Sequence, residues 1–177
     1  MDPTNFWADS PDDWVDDIPP WHEYAGPELT DDLMRAAEET LGYKLPALYA
    51  QLLRVQNGGL PKRCCFPVGR GHMRITGLYG VGGWYGIDNP DRGSRYMIRE
   101  WYYPDVGVVI APTPSAGHTT VMLDYSECGP TGEPRVIHVE TEDAQPRVLV
   151  LAPDFATFVA GLAVCPELDW DWPNQSQ

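Results

Sequence analysis

Side chains able to do chemistry crowd LDYSECGPTGEPRVIHVETE, residues 123–142, among them Asp124, Cys128, Glu133, His138, Glu140 and Glu142. Two carboxylates flanking a substrate could act as general acid and base, and a thiol beside an imidazole could act as a nucleophile. An imidazole grouped with carboxylates could instead hold a metal ion. The spacing also suits the polar end of a hairpin. Asp124 closes an apolar run, where its side chain can accept backbone N–H groups of the loop that follows. Gly129, Pro130, Gly132 and Pro134 are spaced as consecutive turns, and Pro134 biases Glu133 to extended backbone. Every one of these residues has a structural role, so the stretch reads as strand–loop–strand and not as a reaction centre.

Nothing else in the chain supplies a stronger chemical motif. There is no GxSxG elbow, and His22, His72, His118 and His138 are scattered without an HExxH or HxH pair. His138 falls in mid-strand and reads as a structural histidine. GLYGVGGWYG, residues 77–86, invites a dinucleotide reading, but Gly80 and Gly82 would need a glycine where Tyr85 stands, and no GxxxxGK occurs. The cysteines are Cys64, Cys65, Cys128 and Cys165. Adjacent Cys64 and Cys65 fit no zinc template, and all four read as packed or incidental reduced thiols of an intracellular protein. No catalytic residue, metal or cofactor is therefore expected. A hydrolase built on Asp124, Glu133 and His138 is the enzymatic alternative.

The charge is unevenly spread. Of 26 acidic and 12 basic residues, giving a net charge of −14, residues 1–43 hold twelve acidic groups and the single basic Arg35. Such a field disfavours nucleic acid and suits a basic protein partner. The chain opens MDPTNFWADSPDDWVDD, with no signal-like segment, and no apolar run could span a bilayer; a cytoplasmic location is expected. Residues 1–27 form an acidic aromatic arm carrying Trp7, Trp14 and Trp21 among Asp12, Asp13, Asp16 and Asp17. Pro11, Pro19 and Pro20 exclude one continuous helix there. The rings either dock on the chain's own domain or anchor a partner.

Behind the arm, Thr30 can cap a helix with Leu33, Ala36, Ala37, Thr40 and Leu41 on its inner face, and Gly42 ends it. A second helix starts near Pro46, buries Leu48, Tyr49, Leu52, Leu53 and Val55, and stops at Asn57-Gly58-Gly59. Between residues 60 and 105, CCFPV, MRIT and GLYGV suggest brief strands between loops. VGVVIA (106–111), TTVMLDY (119–125) and RVIHVE (135–140) read as strands. RVLVLA (147–152) is either a fourth strand or the lead into a helix that Pro153 and Asp154 begin. Phe155, Phe158, Val159 and Leu162 would face inward from that helix. Helices segregated from hairpins give an α+β fold with a mostly antiparallel sheet, two N-terminal helices and one C-terminal helix packed on it.

In this order and spacing, LGYKLPALYAQLLRVQNGG, VGVVIA, TTVMLDYS, CGPTGEP, RVIHVETE and APDFATFVAGL resemble the SUKH superfamily of the SMI/KNR type over about residues 28–163. Residues 28–165 would form that domain and 166–177 a tail. The resemblance implies a non-enzymatic binding domain. Many bacterial members are similar to immunity proteins that neutralise toxin domains, often nucleases with basic surfaces, whereas fungal relatives look like regulatory scaffolds. It is silent on the acidic arm. The partner expected is a basic toxin domain, bound by a monomer or weak oligomer; the charge and the lack of a spanning run argue against nucleic acid and membrane. The contacts expected are loop groups, Trp84, Tyr85, Asp88, Asp124, Tyr125, Glu127 and Glu133, with the arm's Trp and Asp residues as a second set.

Overall fold

The computed structural model describes residues 2–8, 24–143 and 145–165. The first helix, α1 (Asp31–Leu41), begins where the Thr30 hydroxyl accepts the Leu33 N–H at 3.1 Å, with Asp31 and Asp32 at the positive end of the dipole. It ends where Gly42 takes φ +78°, the left-handed conformation that glycine adopts without strain. Its buried face is Met34, Ala37 and Leu41, rotated from the expected one: Ala36 and Thr40 face solvent. Leu33 is half-buried because it covers Gly82, where an added Cβ would lie 3.0 Å from the Leu33 Cδ1.

The second helix, α2 (Ala47–Val55), buries Tyr49, Leu52 and Leu53, while Val55 stays 46% exposed. A short hairpin follows, β1 (Cys65–Val68) with β2 (Gly71–Arg74), matching CCFPV and the start of MRIT. GLYGV forms no strand; it contributes only an isolated bridge between Leu78 and Gly59. The region also contains α3 (Ser94–Glu100), where the sequence suggests only brief strands and loops. Seven residues with a Gly93 cap give almost no periodic signal, and packing against the sheet sustains this helix. The Ser94 hydroxyl, buried, accepts the N–H of Val109 at 2.8 Å.

The main sheet runs β3 (Gly107–Pro112), β4 (Thr119–Asp124), β5 (Arg135–Glu140), β6 (Arg147–Ala152), in that spatial order and antiparallel throughout. RVLVLA is thus a fourth strand. Asp154 then caps α4 (Phe155–Gly161) by accepting the Thr157 N–H at 2.7 Å, and Phe155, Phe158, Val159 and Leu162 are all buried. Phe155 meets Tyr49 edge-on and Phe158 stacks on Phe66, which ties α4 to α2 and to the small hairpin. The fold is α+β, as expected. β6 forms one edge of the sheet, with Val148, Leu149 and Val150 each close to half exposed.

The expectation of incidental reduced thiols is overturned. Cys65 and Cys165 form a disulfide across 100 residues of chain, and Cys64 lies beside it. An antiparallel bridge between Cys65 and Ala163 brings the C-terminal segment alongside β1, a tertiary contact that cysteine spacing cannot disclose.

Candidate partner-binding surface

The residues of the 123–142 stretch are held by one another. Asp124 is 3% exposed and accepts the Ser126 N–H and the Arg135 Nε, both at 2.8 Å. Burial alone would raise its acid strength threshold, but the hydrogen bonds from Ser126 and Arg135 outweigh it and hold the carboxyl below its ordinary value. Arg135 also pairs with exposed Glu127. Tyr125 is buried; its ring stacks on Tyr43 at 4.4 Å and its hydroxyl donates to the Lys44 carbonyl at 2.5 Å. Glu133 is exposed and its pKa is raised, first by partial burial and then by the charge of Asp154. His138 sits between Val121 and Leu149 in the ladder, and burial lowers its pKa. Among the described residues no hydrogen bond joins Asp124, Glu133 and His138 to one another. The described group of acids, histidines and cysteines close enough to share a metal is Cys64, Cys65 and Cys165, far from this stretch in sequence.

A different surface concentrates aromatic side chains. A cleft of about 870 Å³ opens between α3, the end of β3 and the Gly-rich loop 77–86, lined by the rings of Tyr24, Tyr79, Tyr85, Tyr96, Trp101 and Tyr103. Its wall is built from α2 outward. Asn57, 6% exposed, donates from Nδ2 to the carbonyls of Pro27 (2.6 Å) and Val81 (2.8 Å) and accepts the Val81 N–H at 2.8 Å. One amide therefore clamps segment 24–27 to the Gly-rich loop, and Tyr24 then packs edge-on to Tyr79 with centroids 5.3 Å apart. Gly77 permits this approach, since a Cβ there would lie 2.3 Å from the Tyr24 ring. Asp88 closes the loop by accepting the Gly82 N–H at 2.8 Å.

The opposite wall is strained. Tyr102 has φ +59° and Ala116 φ +50°, left-handed conformations that cost a residue with a side chain roughly 1 kcal/mol or more. These turns lay Trp101 against Gly117, where any Cβ would sit 1.7 Å from the indole, and let the Tyr103 hydroxyl donate to the Gly117 carbonyl. Burial pushes the Tyr103 phenol up to about 12, so it remains a donor at neutral pH. Tyr102, between the lining residues Trp101 and Tyr103 in sequence, is left 80% exposed. Across the cleft Trp84 is 60% exposed, with the Arg92 guanidinium 3.9 Å above its ring.

Of the residues singled out in the sequence, Tyr85 lines this cleft, Trp84 stands at its rim and Asp88 shapes its loop. Asp124 and Tyr125 are buried. Trp7 is 7% exposed and donates from Nε1 to the Leu52 carbonyl at 3.1 Å, so this ring docks on its own domain. Asp12, Asp13, Trp14, Asp16, Asp17 and Trp21 lie outside the described residues. Sequence reasoning missed Asn57 as a clamp, and it missed Tyr96 and Trp101–Tyr103; the aromatic density of YMIREWYY was the available signal.

Residues 28–161 match the model of the SMI1 / KNR4 family (SUKH-1). The chain belongs to this family. The SMI1 / KNR4 region carries every cleft residue except Tyr24, which precedes it. No curated protein and no solved structure matches the chain. Among the described residues no helix is long and apolar enough to cross a membrane.

Proposed function

We propose that this SMI1 / KNR4 family chain is a non-enzymatic binding protein, an immunity protein that seizes and neutralises a basic toxin domain, nucleases included. The supporting observation is the aromatic cleft together with exposed Trp84 and Tyr102, each next in sequence to a lining residue and of the types that dominate binding energy when a partner desolvates them. The net charge of −14 would speed encounter with a basic surface, and the rings would slow release. A family relative acting as a scaffold for an internal partner would use the same face; a basic toxin as cognate partner separates the two readings.

The test is co-purification at low salt followed by toxicity rescue. A basic toxin should be recovered, cells expressing it should survive only with this protein, and Trp84→Ala with Tyr102→Ala should weaken the complex. Recovery of a non-toxic housekeeping partner would favour the scaffold, and turnover of a substrate dependent on Glu133 or His138 would overturn the binding reading.

A further inference from the structure

Independently of the cleft, three sulfurs converge where the C-terminal segment meets the small hairpin. Cys65, 3% exposed, is bonded to Cys165 with Cα atoms 5.0 Å apart, and the Cys64 Sγ stands 3.2 Å from the Cys165 Sγ. All three sulfurs lie within 4.8 Å of one another. The backbone fixes this arrangement: Cys65 N donates to Ala163 O at 3.1 Å and Ala163 N to Cys65 O at 2.8 Å, so the segment bearing Cys165 lies beside both adjacent cysteines. A packed structural thiol would have no reason to stand against the outer sulfur of a disulfide. A thiol poised for exchange must, because exchange proceeds by attack of a thiolate on a disulfide sulfur.

We infer that Cys64, Cys65 and Cys165 form an intramolecular thiol–disulfide exchange site in which Cys165 is shared between two neighbours. The Cys64 thiol loses its proton, and the thiolate attacks the Cys165 Sγ. A Cys64–Cys165 bond forms as the Cys165–Cys65 bond breaks, and Cys65 leaves as a thiolate that takes up a proton. No net oxidation occurs. The C-terminal segment stays tethered in both forms, while the remaining thiol moves between partly exposed Cys64 and buried Cys65. The site thus exposes or hides its free thiol without releasing the chain. Cys128, exposed on a separate loop, takes no part.

The test maps the bonds in the full chain. The native protein is held in a glutathione redox buffer, alkylated with N-ethylmaleimide, quenched in acid, digested without reductant and sequenced by fragmentation mass spectrometry. Label on both Cys64 and Cys65 is expected, with Cys64 labelled faster. Cys65→Ser should form a Cys64–Cys165 bond under conditions where Cys64→Ser keeps Cys65–Cys165, and Cys165→Ser should have neither. Serine is near in size to cysteine, and circular dichroism checks that each variant is folded. Two thiols remaining unbonded in folded Cys65→Ser would overturn the proposal. So would stoichiometric zinc retained by wild type with all three thiols reduced, which would make the cluster a metal site.

Discussion

Two parts of the molecule carry dense polar or aromatic side chains, and they dispose of them in opposite ways. In the hairpin that joins β4 to β5, Asp124 binds Ser126 and Arg135, Glu127 pairs with the same arginine, and Tyr125 donates to Lys44. In the cleft between the Gly-rich loop and α3, Trp84 and Tyr102 remain exposed and two non-glycine residues hold left-handed backbone. The first region spends its chemistry on its own stability. The second keeps costly geometry and leaves Trp84 and Tyr102 largely exposed, with Arg92 over the Trp84 ring, which suits a binding surface. Local density of reactive residue types is therefore a poor guide to function; the better guide is which large groups stay exposed.

The largest expected effect tests the cleft's foundation. Asn57→Ala removes three hydrogen bonds, two of them buried, and should cost about 3 kcal/mol in urea denaturation, because most of the groups it leaves unpaired are shielded from water. A loss below about 1 kcal/mol would mean that the loop is held by other contacts. Trp84→Ala and Tyr102→Ala should each leave stability within about 0.5 kcal/mol, yet cost roughly 2 kcal/mol of partner affinity by calorimetry. Equal effects on stability and affinity would erase the contrast between the regions.

Asp124→Ala should do the reverse, lowering stability by about 1–2 kcal/mol at pH 7 while partner affinity stays unchanged. Its folded-state pKa lies below 3.8, so its contribution is complete above pH 3.8 and is lost as pH falls through the lower folded value. Denaturation at pH 5 and pH 3 should show this acid sensitivity in wild type and a reduced one in Asp124→Asn. Ala116→Gly relieves left-handed strain but adds disorder to the unfolded chain, and should shift stability by no more than about 1 kcal/mol, upward. A clear loss would show that the Ala116 turn is not strained.

The smallest effect is that of Glu133→Gln. The raised pKa of Glu133 means the folded state disfavours its ionised form, so stability is lost as pH rises through that value and the neutral amide should give a slight gain at pH 7. Its sign, opposite to that of Asp124 in the same loop, is the point to check by denaturant midpoint.

Much of this protein was written in local sequence. The Thr30 cap, the Gly42 stop, the Asp154 cap and the strands at 106–111, 119–125 and 135–140 each rest on signals within a few residues, and each element formed where those signals stood. Asp124 as a binder of loop N–H groups was legible for the same reason. Helix rotation was not: Met34 and not Ala36 faces inward because Leu33 is taken up by the Gly82 loop. Helix α3 and the cleft were also hidden, since a short helix and six rings drawn from residues 24 to 103 meet only after packing. The cysteine trio depends on a bridge between residues 65 and 163. Short-range hydrogen bonding and periodicity determined the elements; contacts between distant segments, whose partners no local pattern names, decided the aromatic cleft and the sulfur cluster.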